Sequence, residues 1–204
     1  MEGSRDVVAE AADRSRSGGL RAVLLGAPGS GKGTQAEFLA ASLGVPAIST
    51  GAMLRDAVAH GSALGSKVEG IMACGGLVDD ALMAEVVRER LGRPDAAGGF
   101  LLDGYPRTTG QAAMLDSILA ERQEQLDAVL LLEVPEAVLV ERAVARKRAD
   151  DGEEVVRERL RVYREKTEPL VEHYERRNLL RRVDGNRTMR EVTAASLKML
   201  GRQA

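Results

Sequence analysis

One run of residues constrains this chain more than any other: Gly26-Ala27-Pro28-Gly29-Ser30-Gly31-Lys32-Gly33-Thr34. The apolar residues Ala22-Val23-Leu24-Leu25 precede it, and a helix-spaced segment through Gln35, Ala36, Phe38, Leu39 and Leu43 follows. Strand, glycine-rich turn and helix in that order is the setting of a phosphate-binding loop. Without Cβ atoms, the glycines let successive backbone N–H groups turn inward around phosphate oxygens. The first turn of the helix adds unpaired N–H donors and a partial positive charge. Lys32 then supplies a full charge for the outer phosphates. The general pattern places Ser or Thr directly after the lysine, whereas here Gly33 intervenes before Thr34.

The rest of the chain repeats the same alternation. Short apolar runs fall at 22–25, 45–48, 100–102, 129–134 and 179–183, separated by longer segments with helical spacing. Five such strands with helical crossovers predict an α/β fold built on a doubly wound parallel sheet. Ligands of such sheets sit beyond the carboxyl ends of the strands. The unusual residues fall at those ends: Gly26 onward, Ser49-Thr50-Gly51, Asp103-Gly104 and Asp184-Gly185. Two segments read as insertions. Residues 51–78 carry helical pieces with glycines at 61, 65, 70, 75 and 76, which suggests a small lobe returning through a flexible turn. Arg148-Ala149-Asp150-Asp151-Gly152 is a polar turn between two helices. Past it, Val156, Leu160, Tyr163, Thr167, Leu170 and Tyr174 form a helical stripe that Pro169 should kink or split.

Composition narrows the function classes. The formal net charge of -2 gives no general attraction to nucleic acid or anionic membrane. Aromatic residues make up 2% of the chain, too few to build stacking platforms for single strands. The lone Cys74 rules out an internal disulfide framework and an all-cysteine zinc site. No apolar run reaches membrane-spanning length. Residues 1–19 mix acidic and basic side chains, unlike a secretory signal or a mitochondrial transit peptide, and read as a tail or frayed helix. A cytoplasmic location is expected. His60 and His173 stand apart with no metal-ligand pattern and read as structural.

Asp103 closes the apolar run Gly99-Phe100-Leu101-Leu102, where a carboxylate near a phosphate loop can position Mg²⁺ directly or through water. A helix-capping or turn role is the alternative. Gly104 permits close approach of backbone to a ligand, and Pro106 fixes the path to Arg107. Arg55, Arg107, Arg142, Arg146, Arg148 and Arg159 all fall near expected loops or strand ends. Guanidinium groups bind phosphate oxygens in pairs and keep their charge when desolvated. For any one of them a solvated surface charge is the alternative, and spacing alone does not sort the two. Arg88, Arg90, Arg157, Arg161 and Arg164 are expected at the surface.

Taken together, these motifs resemble the bacterial-type adenylate kinases, from about Leu20 to Leu200. The loop resembles the family's variant including Gly33. Ser49-Thr50-Gly51 with Met53-Leu54-Arg55 resembles the start of its AMP-binding lobe, and Gly76-Leu77-Val78 its return. Asp103-Gly104-Tyr105-Pro106-Arg107-Thr108, with Gln111, is a highly specific family signature. Glu141-Arg142, Arg146, Arg148-Ala149-Asp150-Asp151 and Arg157-Glu158-Arg159 resemble the flanks of the lid.

The resemblance implies a P-loop nucleoside monophosphate kinase domain over residues 20–204, with an insert at about 49–78 and a short lid at about 145–152. It implies that Gly29, Ser30, Gly31, Lys32, Gly33 and Thr34 hold ATP phosphates. Arg142 and Arg146 would flank ATP, and the backbone near Arg187 would approach its adenine. AMP would meet Thr50, Arg55, Gly76, Leu77, Val78, Gly104, Tyr105, Pro106, Arg107 and Gln111, while Arg148 and Arg159 reach the phosphates between the nucleotides. Lys32, Arg107, Arg146, Arg148 and Arg159 form the expected catalytic set. Asp103 would order the hydration shell of Mg²⁺, the expected cofactor, and no zinc is expected. ATP, AMP and ADP are the expected partners of a monomer, with no nucleic acid or membrane partner.

Thr50 and Gln111 go with AMP in this family, since a glutamine amide offers both donor and acceptor to an adenine edge. Three departures stand out. Ala52 replaces a usually acidic residue, Gly75-Gly76 suggests an unusually loose return, and the lid resembles the short form. Competing readings are a kinase for another nucleoside monophosphate, a nucleotide-dependent switch and a pseudoenzyme. The Asn-Lys-x-Asp string of guanine-reading switches is absent from the sequence, and the retained lysine and arginines argue against a pseudoenzyme.

Overall fold

Strand β1 (Arg21–Leu25) shows why the chain needs helices on two sides. Its Val23 and Leu25 face one buried cluster, while Ala22 and Leu24 face another. Strands β3 (Phe100–Asp103) and β4 (Ala128–Glu133) alternate in the same way: Phe100, Leu102, Val129 and Leu131 on one face, Leu101, Leu130 and Leu132 on the other. A strand apolar at every position must be covered on both faces, which parallel sheets achieve through helical crossovers. The computed structural model, which describes residues 19–145 and 152–202, has that arrangement. Strands β2 (Ala47–Ser49) and β5 (Leu180–Asp184) complete a five-stranded, all-parallel sheet of order β2-β3-β1-β4-β5. The five apolar runs of the sequence are these five strands.

One face is covered by α1 (Lys32–Leu43) and α9 (Met189–Met199), through Ala36, Leu39, Val192 and Leu197. The other carries α4 (Asp80–Leu91), α5 (Thr109–Glu121) and α8 (Pro169–Arg176), through Met83, Val87, Leu115, Ile118, Leu170 and Tyr174. Between β2 and α4 lies the helical pair α2 (Thr50–Ala59) and α3 (Ala63–Ala73). Helices α6 (Glu136–Ala145) and α7 (Glu153–Val162) form a small third cluster with Leu139, Ala143, Val156 and Leu160.

Pro169 splits the long helical stripe as its chemistry requires. It has no N–H to donate, and its ring would collide with the carbonyl four residues earlier. The chain responds by widening into a π-helical stretch over Tyr163–Thr167, with the Glu168 N–H donating to the Tyr163 carbonyl (2.9 Å), before α8 begins at Pro169.

The turn leaving α3 departs from expectation. Gly75-Gly76 suggested a loose return, yet the Gly75 N–H donates to Met72 O (3.1 Å) and the Gly76 N–H to Ile71 O (3.0 Å). With Gly75 at φ +76°, this is a closed Schellman cap, which uses glycine's left-handed freedom to satisfy the last helical carbonyls. The turn also lies against α7. A Cβ built on Gly75 would come within 3.2 Å of both Arg159 Cγ and Val155 O.

Candidate active site

All the strands are parallel, so their carboxyl ends share one edge of the sheet, and there a cleft of about 760 Å³ opens. The phosphate loop forms its floor. Gly29 (φ +87°) and Gly31 (φ +92°) turn the loop, and Gly31 sits at the head of α1 with no side-chain cap on that helix. The first N–H groups of α1 therefore have no partner within their own helix or from a capping side chain, which is how a helix receives an anion. The Lys32 ammonium folds across the loop, donating to Gly26 O (2.5 Å) and Ala27 O (3.0 Å), with Ser30 Oγ at 3.4 Å. These contacts keep a flexible cation beside the loop. Gly29, Gly31, Lys32, Gly33 and Thr34 line the cleft; Ser30 is buried behind it.

Across the floor stands the end of β3. Asp103 accepts from the Ser49 hydroxyl (3.1 Å), and Ser49 also caps α2, so one side chain ties β2, β3 and the helical pair together. A Cβ on Gly33 would lie 3.8 Å from Asp103 Oδ2, which places the carboxylate beside the loop. Thr50 is buried and donates to Asp103 O (3.3 Å). Next, Gly104 takes φ +86°, and a Cβ there would meet Thr50 Oγ1 at 2.8 Å and Arg107 Nη2 at 3.2 Å. A side chain would fill the point where two site residues converge.

Arg107 is the electrostatic centre. Its Nε donates to Gly104 O (2.8 Å), its N–H to Gln111 Oε1 (2.8 Å), and its carbonyl accepts from Thr167 Oγ1 (2.9 Å). Burial pulls its guanidinium below the ordinary arginine range, Arg159 and Arg55 pull the same way, and Asp103 opposes them. Positive charges gathered at such cost in a polar cleft await an anion. Arg55, Arg142, Arg159, Gly76, Leu77, Val78, Pro106 and Gln111 also line it, with Arg142 Nη1 anchored on Gly185 O (3.0 Å).

Not every expected residue falls on the cleft lining, and one unexpected residue does. Tyr105 is not a cleft residue: its ring lies in the core, 1% exposed, and burial, then Asp80, pushes its hydroxyl pKa up to about 12. The chain turns at Gly104 just past the end of β3 (φ +86°), and the Tyr105 ring enters the core cluster while Gly104 and Pro106 line the cleft. Arg187 stands outside the cleft lining, its guanidinium paired with Asp184 (2.8 Å), three residues back in the same turn. Arg90, expected in solvent, lies along the cleft wall with its side chain 15% exposed and forks onto Asp95 (3.0 and 2.7 Å). Arg146, Arg148 and the rest of the expected lid turn up to Asp151 lie outside the described residues. Thr167 and Asp80 were missed. Thr167 reads as one more position in an apolar stripe, and Asp80 as an ordinary helix-starting aspartate.

One comparison decides the family. The adenylate kinase family model matches residues 24–179, which span the loop, the helical pair, the Asp103 signature and the α6–α8 region. The chain belongs to the adenylate kinase family. It is 49% identical to the adenylate kinase of Nocardia farcinica over 183 residues, covering 90% of this chain and all of that one. It is 47% identical to the adenylate kinase of Sinorhizobium medicae over 191 residues, covering 89% and 100%. With adenylate kinase 1 of a Synechocystis strain it shares 48% identity over 178 residues, covering 87% and 95%. It is accordingly a nucleotide-binding phosphotransferase, with the family's conversion of ATP and AMP into two ADP. Among the described residues, no helix is long and apolar enough to cross a membrane.

Proposed function

We propose that the two nucleotides meet in this cleft, ATP phosphates on the loop and AMP under the α2–α3 pair, for reversible in-line transfer without a covalent enzyme intermediate. An oxygen of the AMP phosphate attacks the γ-phosphorus of ATP; the bond from that phosphorus to the β-bridging oxygen breaks, and ADP leaves on each side. The observation that carries the reading is the gathering of Arg55, Arg107 and Arg159 with Asp103, facing Lys32 across one cleft. Charge spread over the transferring group is what such a set stabilises, and no nucleophile need come from the protein.

Lys32 and the loop N–H groups hold the β- and γ-phosphates, with Arg142 beside them. Arg55 and Arg107 hold the AMP phosphate, and Arg159 bridges. Arg146 and Arg148 join them from residues 145–152, a short lid over the phosphates, and the backbone near Arg187 bounds the adenine of ATP. The segment 49–78 serves as the AMP lobe, with Thr50, Gly76, Leu77, Val78 and Gln111 around the base. Among the described residues, no three of His, Cys, Asp and Glu gather into a metal cage. Mg²⁺ fits the single carboxylate of Asp103 beside the loop, since that ion keeps waters and substrate phosphates as ligands. Bound with ATP, it would neutralise phosphate charge while Asp103 holds its waters. Every group named belongs to one chain, as a working monomer requires.

A coupled assay of ADP formation with AMP, CMP, UMP and GMP tests the substrate, with AMP expected to exceed the others. ATP made chiral at its γ-phosphorus tests the path. Inversion supports direct transfer, and retention would require a covalent intermediate.

A further inference from the structure

Gln111 is buried, yet it is part of the cleft lining. Two partners hold its amide, and each permits one polarity only. Its Oε1 accepts from the Arg107 N–H (2.8 Å), a group that can only donate. Its Nε2 donates to Asp80 Oδ1 (2.8 Å), and an ionised carboxylate can only accept. The second Asp80 oxygen accepts from the Thr108 hydroxyl (2.8 Å), so the carboxylate is itself held in place. Gly110 contributes by lacking a side chain, since a Cβ there would come within 2.9 Å of Asp80 Oδ2. The α5 terminus thus sits tightly on the first residue of α4.

We infer that Asp80 is a positioning residue that locks the Gln111 amide in one of its two flip states and thereby sets the preference for an adenine acceptor. After these two hydrogen bonds, Nε2 keeps one N–H and Oε1 one lone pair. An adenine edge, with its N6 donor and N1 acceptor, pairs with an amide in that state. A 6-oxopurine presents the reverse, an O6 acceptor and an N1–H donor, and needs the amide turned over. Turning it places Oε1 against the Asp80 carboxylate and the NH₂ group against the Arg107 N–H, two mismatches at once. Asp80 therefore excludes the wrong base through Gln111 without touching either base. The inference rests on the reading that Gln111 meets the acceptor base.

Asp80→Asn tests it, because an asparagine amide can rotate to present either donor or acceptor. Inosine monophosphate is the probe: it differs from AMP at N6 and N1 while keeping its size and phosphate. The measurement is the KM for AMP and the inhibition constant of inosine monophosphate against AMP, with kcat and the KM for ATP alongside. The ratio of the inosine monophosphate inhibition constant to the KM for AMP should shrink by about tenfold or more in Asp80→Asn, with the loss in KM for AMP rather than in kcat. Asp80→Glu, still acceptor-only, should retain most of the discrimination. A parallel weakening of both nucleotides, with the ratio unchanged, would overturn the inference and leave Asp80 a structural residue. Asp80→Ser, whose hydroxyl also donates or accepts, carries the same test if Asp80→Asn fails to fold. Gln111→Leu separates the two layers. If it leaves the KM for AMP intact, the base contact itself is wrong and the inference falls with it; if it raises that KM while Asp80→Asn keeps the ratio, only the positioning role falls.

Discussion

Gly104→Ala asks whether the joint between β3 and the arginine centre needs an empty position. At φ +86° an L-residue costs about 1–2 kcal/mol relative to glycine. The added methyl would also lie 2.8 Å from Thr50 Oγ1 and 3.2 Å from Arg107 Nη2. Thr50 is buried and donates to Asp103 O, so moving it away forfeits a hydrogen bond worth about 0.5–1.5 kcal/mol. Together these come to a loss of about 1.5–3.5 kcal/mol, read by urea denaturation followed with circular dichroism. Function should suffer separately. Displacing Thr50 and Arg107 by a fraction of an ångström should raise the KM for AMP about tenfold or more, with a smaller change for ATP. Gly44→Ala is the control. It has φ +67° with nothing within 4 Å of a built Cβ and caps the far end of α1, so it should lose about 1–2 kcal/mol with KM values intact. If Gly104→Ala is as stable as the parent and binds AMP as well, the crowding between Thr50 and Arg107 is not what this structure describes.

Three further outcomes are expected. Lys32→Ala should fold normally and lose at least ~10²–10³-fold in turnover; near-normal rates in a folded variant would remove the loop cation from the mechanism. Burial raises the pKa of the Glu124 carboxyl, but hydrogen bonds from Arg122 and Arg21 outweigh that and hold it below the usual range. A depressed folded-state pKa stabilises above the unfolded value and is lost as pH falls through the folded one. Glu124→Gln should therefore cost about 1–2 kcal/mol near neutrality, converging on the parent only after the pH has fallen through the lowered folded-state pKa, below the usual glutamate range; an equal deficit at both ends would show that the effect is not ionic. A bisubstrate analogue should displace the 49–78 lobe widely, with residues 148–152 moving only a few ångströms in crystal structures with and without it. A static lobe over a strongly moving turn would mean that the gating element has been assigned wrongly.

The sequence by itself determined the architecture and the loop. Alternation of apolar runs with helix-spaced segments is a local signal, and β1, β3 and β4, apolar at almost every position, already require cover on both faces. The phosphate loop is local too: Gly29, Gly31 and Lys32 act within a few residues of one another. Pro169 announced its own break because its effect falls on its immediate neighbours. Tertiary structure decided what depends on partners distant in sequence. Charge spacing cannot tell a cleft arginine from a solvated one, since Arg90 and Arg88 sit two apart on one helix and only Arg90 lines the cleft. Tyr105 stands between two cleft residues, and the turn at Gly104 past the end of β3 sends its ring into the core cluster formed by distant helices and strands. The closed cap at Gly75-Gly76 and its seat against α7 could not be read from glycine content, which reports freedom and not its use. Asp80 and Thr167 acquire meaning only when folding brings them to Gln111 and to Arg107, 31 and 60 residues away. Hydrogen-bond polarity at that range is written by the packing of α4 and the π-helical stretch against the start of α5.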